Sequence, residues 1–203
     1  MKTLFIIDPG HGGEDPKTGK YVTPGKRSPK DENGDVILFE GINNRINAKL
    51  IVDEMTLRGF DVIDIVNDWR DVALNERCRR ANELSKNFKC VYISIHSDGA
   101  GNGVDWYGAR GNGVFVYTGA SKNSVRLAEC LEQEIKCNFA DVTKWRGIRE
   151  ANFAVLRATN CPAVLCEFGF HTHKEEAKLM LTYGWRELLV KSIVDACALY
   201  EIN

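Results

Sequence analysis

The sequence predicts an α/β fold, a single domain with a twisted, mostly parallel sheet flanked by helices on both faces. Three observations carry this prediction. Short apolar runs at residues 4–7, 90–95 and 162–166 are bounded by turn residues, as buried strands of a parallel sheet are. Stretches between them place apolar residues at three- and four-residue spacing, the period of a helix. The first strand, first helix and second strand follow one another within about 60 residues, a βαβ unit whose strands run parallel.

Residues 4–7 (Leu-Phe-Ile-Ile) form the first predicted strand. It stops at Asp8-Pro9-Gly10 and presents His11 between glycines, where open α/β proteins collect ligands beyond the carboxyl ends of their strands. Residues 14–35 read as a long polar loop of mixed charge, either simply solvated or with a role in substrate binding. Ile42, Ile46, Leu50, Ile51, Met55 and Leu57 then trace one helix, which Glu40 begins, with Gly59 at the C-cap. Residues 60–66 alternate as a strand. Residues 74–88 predict a second helix with Asp71 as its N-cap. The strand at 90–95 ends at His96-Ser97-Asp98 and a turn at Gly99.

Residues 99–113 read as a glycine-rich loop around Trp106 and Tyr107, and 114–117 as a further strand. Ser121 caps a helix that runs to about residue 137. Residues 138–149 read as a loop and 150–156 as a short helix. The last strand, 162–166, ends at Glu167, and Cys166 beside it should face the core. Two closing helices, 174–181 and 185–200, are split by Gly184. No repeat, low-complexity stretch or linker divides residues 1–203, so one domain is expected.

Composition narrows the function classes. A formal net charge of −1 offers no bulk attraction to nucleic acid. No apolar run approaches the roughly 20 residues of a membrane helix, so no membrane insertion is expected. The apolar residues before Asp8 are too few for a secretory leader. Seven scattered cysteines without a Cys-x-x-Cys pair argue against a disulfide framework or zinc ribbon, and for free, mostly buried thiols in a reducing compartment.

All four histidines (His11, His96, His171 and His173) lie just beyond predicted strand ends. Two imidazoles and a carboxylate around an open position are the ligand set of a catalytic zinc site. A second carboxylate nearby would move the proton of the attacking water. Position alone leaves open which of Glu40 and Glu167 ligates and which acts as base.

Four segments add a resemblance: Ile7-Asp8-Pro9-Gly10-His11-Gly12-Gly13, Glu40 before an Asn-rich helix start, Ser94-Ile95-His96-Ser97-Asp98, and residues 162–170 around Glu167. In this order they resemble zinc N-acetylmuramoyl-L-alanine amidases of the amidase-3 type, a family of autolysins and phage endolysins. The likeness spans nearly the whole chain. Residues 71–77 also resemble the family's Asp-x-x-Leu-x-x-Arg stretch. The resemblance implies one zinc ion (Zn2+) per chain held by His11, Glu40 and His96. It implies Glu167 as the catalytic group that activates water and protonates the departing amine. The implied reaction is hydrolysis of the amide between N-acetylmuramic acid and L-alanine in peptidoglycan.

Two departures stand out. Ser97-Asp98 replaces the family's common Ala-Asn, and His171-Thr172-His173 stands where Ser-Asn is frequent. Asp98 either hydrogen-bonds a ligand imidazole or caps its turn. His171 and His173 line the cleft, cap the next helix or supply another metal site. Trp106, Tyr107 and Trp145 are candidates to pack on sugar or peptide, and Arg110, Arg146 and Arg149 to pair with stem-peptide carboxylates. The resemblance further implies a monomeric catalytic domain with peptidoglycan as its partner and no separate wall-binding domain. Made in the cytoplasm without a signal peptide, it would reach the wall after release, as phage endolysins do. The rival setting is the secreted or periplasmic catalytic domain of a longer precursor. Two other classes stay open: another zinc amide hydrolase acting on cell-wall peptides or acetyl groups, and a non-catalytic peptidoglycan-binding protein.

Overall fold

The buried apolar runs become the middle of a six-stranded sheet in the computed structural model, which describes residues 2–202. In chain order the elements are β1 (Thr3–Pro9), α1 (Glu40–Leu57), β2 (Asp61–Asp64), α2 (Leu74–Leu84), β3 (Lys89–Asp98) and β4 (Asn112–Val116). They continue with α3 (Lys122–Asn138), β5 (Trp145–Glu150), α4 (Ala154–Arg157), β6 (Ala163–Phe170), α5 (Lys174–Leu179) and α6 (Tyr183–Ile202). The strand order is β2-β1-β3-β6-β4-β5. All neighbours pair parallel except β4 and β6, which run antiparallel.

The period of two along each strand sends alternate side chains to two cores. Phe5, Ile7, Val91, Ile93, Val164 and Cys166 belong to the larger one, with residues of α1, α3 and α6. Ile6, Cys90, Tyr92 and Leu165 face the smaller one, under α2 and α4. Cys166 therefore points to the core, opposite to the side of its neighbour Leu165. Five of the seven thiols are buried, Cys161 is half-buried, Cys137 is exposed, and all are free. Among the described residues no helix is long and apolar enough to cross a membrane.

Several local expectations hold. Ser121 accepts from the Ser124 N–H at the start of α3. Gly59 follows α1 at φ +79°, the left-handed position where glycine carries no Cβ penalty.

Others are corrected. Residues 145–150 form the edge strand β5 rather than a loop, and only Ala154–Arg157 of the expected short helix is helical. Asp71 does not cap α2; its N-cap is Ala73, without a side-chain bond. Gly184 lies in the first turn of α6 instead of dividing two helices. The face of α1 also differs from the apolar stripe. Ile46 and Leu50 are 39 % exposed and Leu57 is 82 % exposed. Asn43, Asn44 and Asn47 are buried beside Ala48, Ile51 and Met55. The first turns of α1 face the strand ends, and there polar groups are needed: the Asn44 amide reaches the carbonyl of Gly10.

The strands β3 and β6 run farther than their apolar stretches. His96 and Glu167 are thus inside strands, directly opposite one another in register, rather than beyond the strand ends.

Candidate metal centre and active site

His11 sits one residue past the Gly10 that follows β1, at φ +63°. A non-glycine residue rarely holds this left-handed conformation, so something must enforce it. Two guanidinium groups do. Arg45 of α1 and Arg77 of α2 each donate to the His11 carbonyl at 2.8 Å. Arg77 is itself buried; it pairs with Asp8 and donates to the carbonyls of Pro9 and Val72 at 2.7 and 2.8 Å. Burial alone would raise the Asp8 carboxyl, but the Arg77 charge and the hydroxyls of Tyr92 and Ser94 outweigh it and hold Asp8 below its usual range. The Asp-x-x-Leu-x-x-Arg stretch thereby gains a physical role. Its arginine locks the turn that carries His11, and its Asp71 accepts from the Thr23 hydroxyl at 2.8 Å.

Two glycines let the parts close up. A Cβ on Gly10 would lie 2.1 Å from the His96 ring, and one on Gly41 would lie 1.8 Å from the Gly12 carbonyl oxygen. The second contact seats the N-terminus of α1 against the His11 turn.

Glu40, the first residue of α1, is 1 % exposed. Its Oε1 lies 3.3 Å from His11 Nε2 and 3.1 Å from His96 Nδ1, and accepts from the Ser97 N–H at 3.2 Å. The two imidazole rings meet edge-on with centroids 4.9 Å apart. One donor atom from each of His11, Glu40 and His96 falls within 4.8 Å of the other two. Burial pushes the Glu40 carboxyl up, yet the hydrogen bonds and charges of His11 and His96 outweigh it and hold it well below the carboxylate range. Its Oε2 is buried without a hydrogen-bond partner. A buried carboxylate oxygen left unsatisfied beside two imidazoles is what a cation-binding donor set looks like without its ion. The group could hold a metal.

Glu167 reaches the same place from β6, across from His96. Its Oε2 is also buried and unpartnered. Burial raises its pKa well above the usual value, the charges of Glu40 and Asp98 raise it further, and Arg146 and Lys26 only partly offset them.

Two clefts meet here, one of about 550 Å3 and one of about 270 Å3, sharing His11, Lys26, His96 and Glu167 as walls. Val72, Leu74, Phe153 and Val155 give the larger an apolar side. The smaller is polar, edged by Ser97, Thr172 and the glycine-rich turn from Gly99 to Gly103.

The other expected site residues fall elsewhere. Asp98 hydrogen-bonds no imidazole; it caps its turn by accepting from the Gly99 N–H and takes a 2.8 Å hydrogen bond from Arg146. Arg146 lies over the Phe170 ring and also donates to the Gly111 carbonyl. His173 caps α5 by accepting from the Glu176 N–H. His171 is buried against Ser97 and stands 3.7 Å from Glu40 Oε2, outside the three-residue donor group.

Trp106 donates its indole N–H to the Lys30 carbonyl, and the Tyr107 N–H bonds the Thr172 carbonyl, so both tie loops together at the rim. Trp145 bonds Glu132 of α3, Arg149 donates to the Arg146 carbonyl, and Arg110 is exposed before β4. None of Trp106, Tyr107, Arg110, Trp145 and Arg149 lines either cleft.

Arg45, Arg77 and Lys26 did not stand out in the sequence as site residues. Only Arg77 carried a signal, its place in the Asp71–Arg77 stretch.

Comparisons with known proteins bear on the family and the fold. The profile of the N-acetylmuramoyl-L-alanine amidase (amidase-3) family matches residues 5–198. The Bacillus subtilis protein YqiI is 28 % identical over 202 residues, covering 98 % of this chain and 84 % of that one. The probable cell wall amidase LytH of Staphylococcus epidermidis is 29 % identical over 199 residues, and there the match covers 98 % of this chain but only 58 % of the relative. The crystal structure of an N-acetylmuramoyl-L-alanine amidase from Clostridium difficile 630 superposes with a TM-score of 0.82 at 27 % identity, covering 100 % of this chain and 98 % of that one. With a profile match across nearly its full length and a shared fold from end to end, the chain belongs to the amidase-3 family of N-acetylmuramoyl-L-alanine amidases.

Proposed function

We propose that this chain is a zinc-dependent amidase that hydrolyses the bond between the lactyl group of N-acetylmuramic acid and the L-alanine of the stem peptide. His11, Glu40 and His96 would hold the zinc ion. When bound, such an ion polarises a carbonyl oxygen and makes water a better nucleophile at neutral pH.

The rest falls to the chain's own groups. Glu167 takes a proton from the attacking water and passes it to the departing nitrogen, so the amine leaves neutral. The observation that carries this division of labour is the opposite environment of the two carboxylates. Glu40 is held ionised by its imidazoles, as a ligand must be, whereas Glu167 is poised to accept and return a proton. The meeting of two open clefts at these residues suits a polymer that enters from one side and leaves by the other.

Digestion of purified peptidoglycan tests the proposal. Stems released with free N-terminal L-alanine, and no new glycan reducing ends, are expected. Release of D-alanine or acetate alone would identify a different zinc hydrolase, and binding without cleavage a non-catalytic wall protein. An endolysin's setting belongs to the same proposal. Cells expressing the chain should lose turbidity once their membrane is permeabilised, and unchanged turbidity would count against that setting.

A further inference from the structure

Apart from Glu167, whose buried Oε2 has no hydrogen-bond partner, the charged side chains that line the two clefts are matched, with one cation left over. Asp8 pairs with Arg77, Asp71 with Thr23 and Arg77, Asp98 with Arg146, and Glu40 with the imidazoles. Lys26 Nζ makes no hydrogen bond or ion pair among the described residues, although Lys26 walls both clefts where they join.

Its base is fixed while its head is free. The Lys26 carbonyl accepts from the Glu40 N–H and the Tyr21 hydroxyl, both at 2.9 Å, and its N–H donates to the Thr23 carbonyl at 3.0 Å. The same backbone that sets the start of α1, and hence Glu40, thus sets the root of this lysine. The side chain itself is exposed. A flexible ammonium on a rigid root, beside a polar cleft whose one unmatched carboxyl, Glu167, is buried and makes no ion pair with it, is a binding group for an anion that arrives with the substrate.

We propose that Lys26 binds a carboxylate of the stem peptide, on the residue that follows L-alanine, and so favours stems in which that carboxylate is free over stems in which it is amidated. The proposal rests on the amidase reading above. Reach sets the position. An extended peptide advances about 3.3–3.6 Å per residue. A group sharing a wall with His11, His96 and Glu167 is therefore within one or two residues of the scissile amide. The match is of charge rather than shape, because an ammonium is a point donor that meets a carboxylate well and gains little from a neutral carboxamide.

Two synthetic muropeptides, N-acetylmuramoyl-L-alanyl-D-isoglutamate and its D-isoglutamine counterpart, read the charge directly. The wild type should show a KM about five- to tenfold lower for the acidic form. Lys26→Gln should lose this preference, the loss falling in KM, and Lys26→Arg should keep it. Raising salt towards 1 M should erode the wild-type preference. A Lys26→Gln enzyme that retains the full preference, or loses kcat equally on both substrates, overturns the assignment.

Calorimetric binding of the peptides L-alanyl-D-isoglutamate and L-alanyl-D-isoglutamine gives the same contrast without turnover. Equal binding of the two by the wild type would also overturn it. If the acidic peptide binds through Lys26 but neither muropeptide is cleaved, the amidase reading fails and the Lys26 assignment stands.

Discussion

Glu40 and Glu167 are chemically identical side chains, and their surroundings send them in opposite directions. Two imidazoles stabilise the charge of Glu40, while Glu167 meets burial and two neighbouring carboxylates. A carboxyl whose folded pKa is raised contributes stability that is fully present below the ordinary carboxylate value. That contribution is lost as pH rises through the folded value, because the buried group must then ionise. Glu167→Gln should therefore melt higher than the wild type in metal-free protein at pH 7, by about 1 kcal/mol, or roughly 2–4 °C for a chain of this size. The gap should close towards pH 4. Turnover should fall by about 100- to 10,000-fold. Thermal melts from pH 4 to 8 with parallel rate assays check both halves. A variant that melts lower at every pH would mean that Glu167 serves the fold rather than opposing it.

Between elements, the organising contact is Arg77, which ties α2 to the end of β1. One guanidinium meets Asp8 and the carbonyls of Pro9, His11 and Val72. Removing it leaves Asp8 as an uncompensated buried charge. Arg77→Met should cost about 3–5 kcal/mol at neutral pH, the usual penalty for breaking a buried pair from one side. The pH dependence follows from Asp8. Its depressed pKa contributes stability above the unfolded carboxylate value that is lost as pH falls through the lower folded value. Without Arg77 that contribution disappears and burial dominates, so the difference between variant and wild type should shrink on acidification. Denaturant titrations at pH 7 and pH 4 measure it. An equal loss at both would show that packing, not the ion pair, is what Arg77 provides.

At the scale of the whole molecule, much was legible because burial writes itself into strands as apolar runs. The four central segments at residues 4–7, 90–95, 114–117 and 162–166 all fall on strands, with only Tyr117 and Pro162 just outside the strand bounds. The edge strand β5 was not legible. Its sequence, Trp-Arg-Gly-Ile-Arg-Glu, is charged and half-exposed, as edge strands that resist mispairing are, and carries no apolar run. The buried face of α1 was misjudged for a related reason: three asparagines are buried, one of them bonded to the Gly10 carbonyl beside the site, while isoleucine and leucine stay at the surface. His11, Glu40, His96 and Glu167 could be proposed from position and motifs, but position left their division into donors and base open, and only the family resemblance supplied it. That depends on which carboxylate meets the imidazoles, a fact of tertiary geometry. Lys26 was not singled out within its loop because its importance lies in what it lacks, a partner, where most charges around it have found one.

In the proposed mechanism His11, Glu40 and His96 hold one zinc ion while Glu167 stands apart to move the proton. Metal analysis of the wild type, Glu40→Ala, His96→Ala and Glu167→Ala after zinc loading and dialysis tests it most directly. One zinc per chain is expected in the wild type and in Glu167→Ala, with zinc lost from Glu40→Ala and His96→Ala. Zinc lost from Glu167→Ala and kept by Glu40→Ala would contradict it.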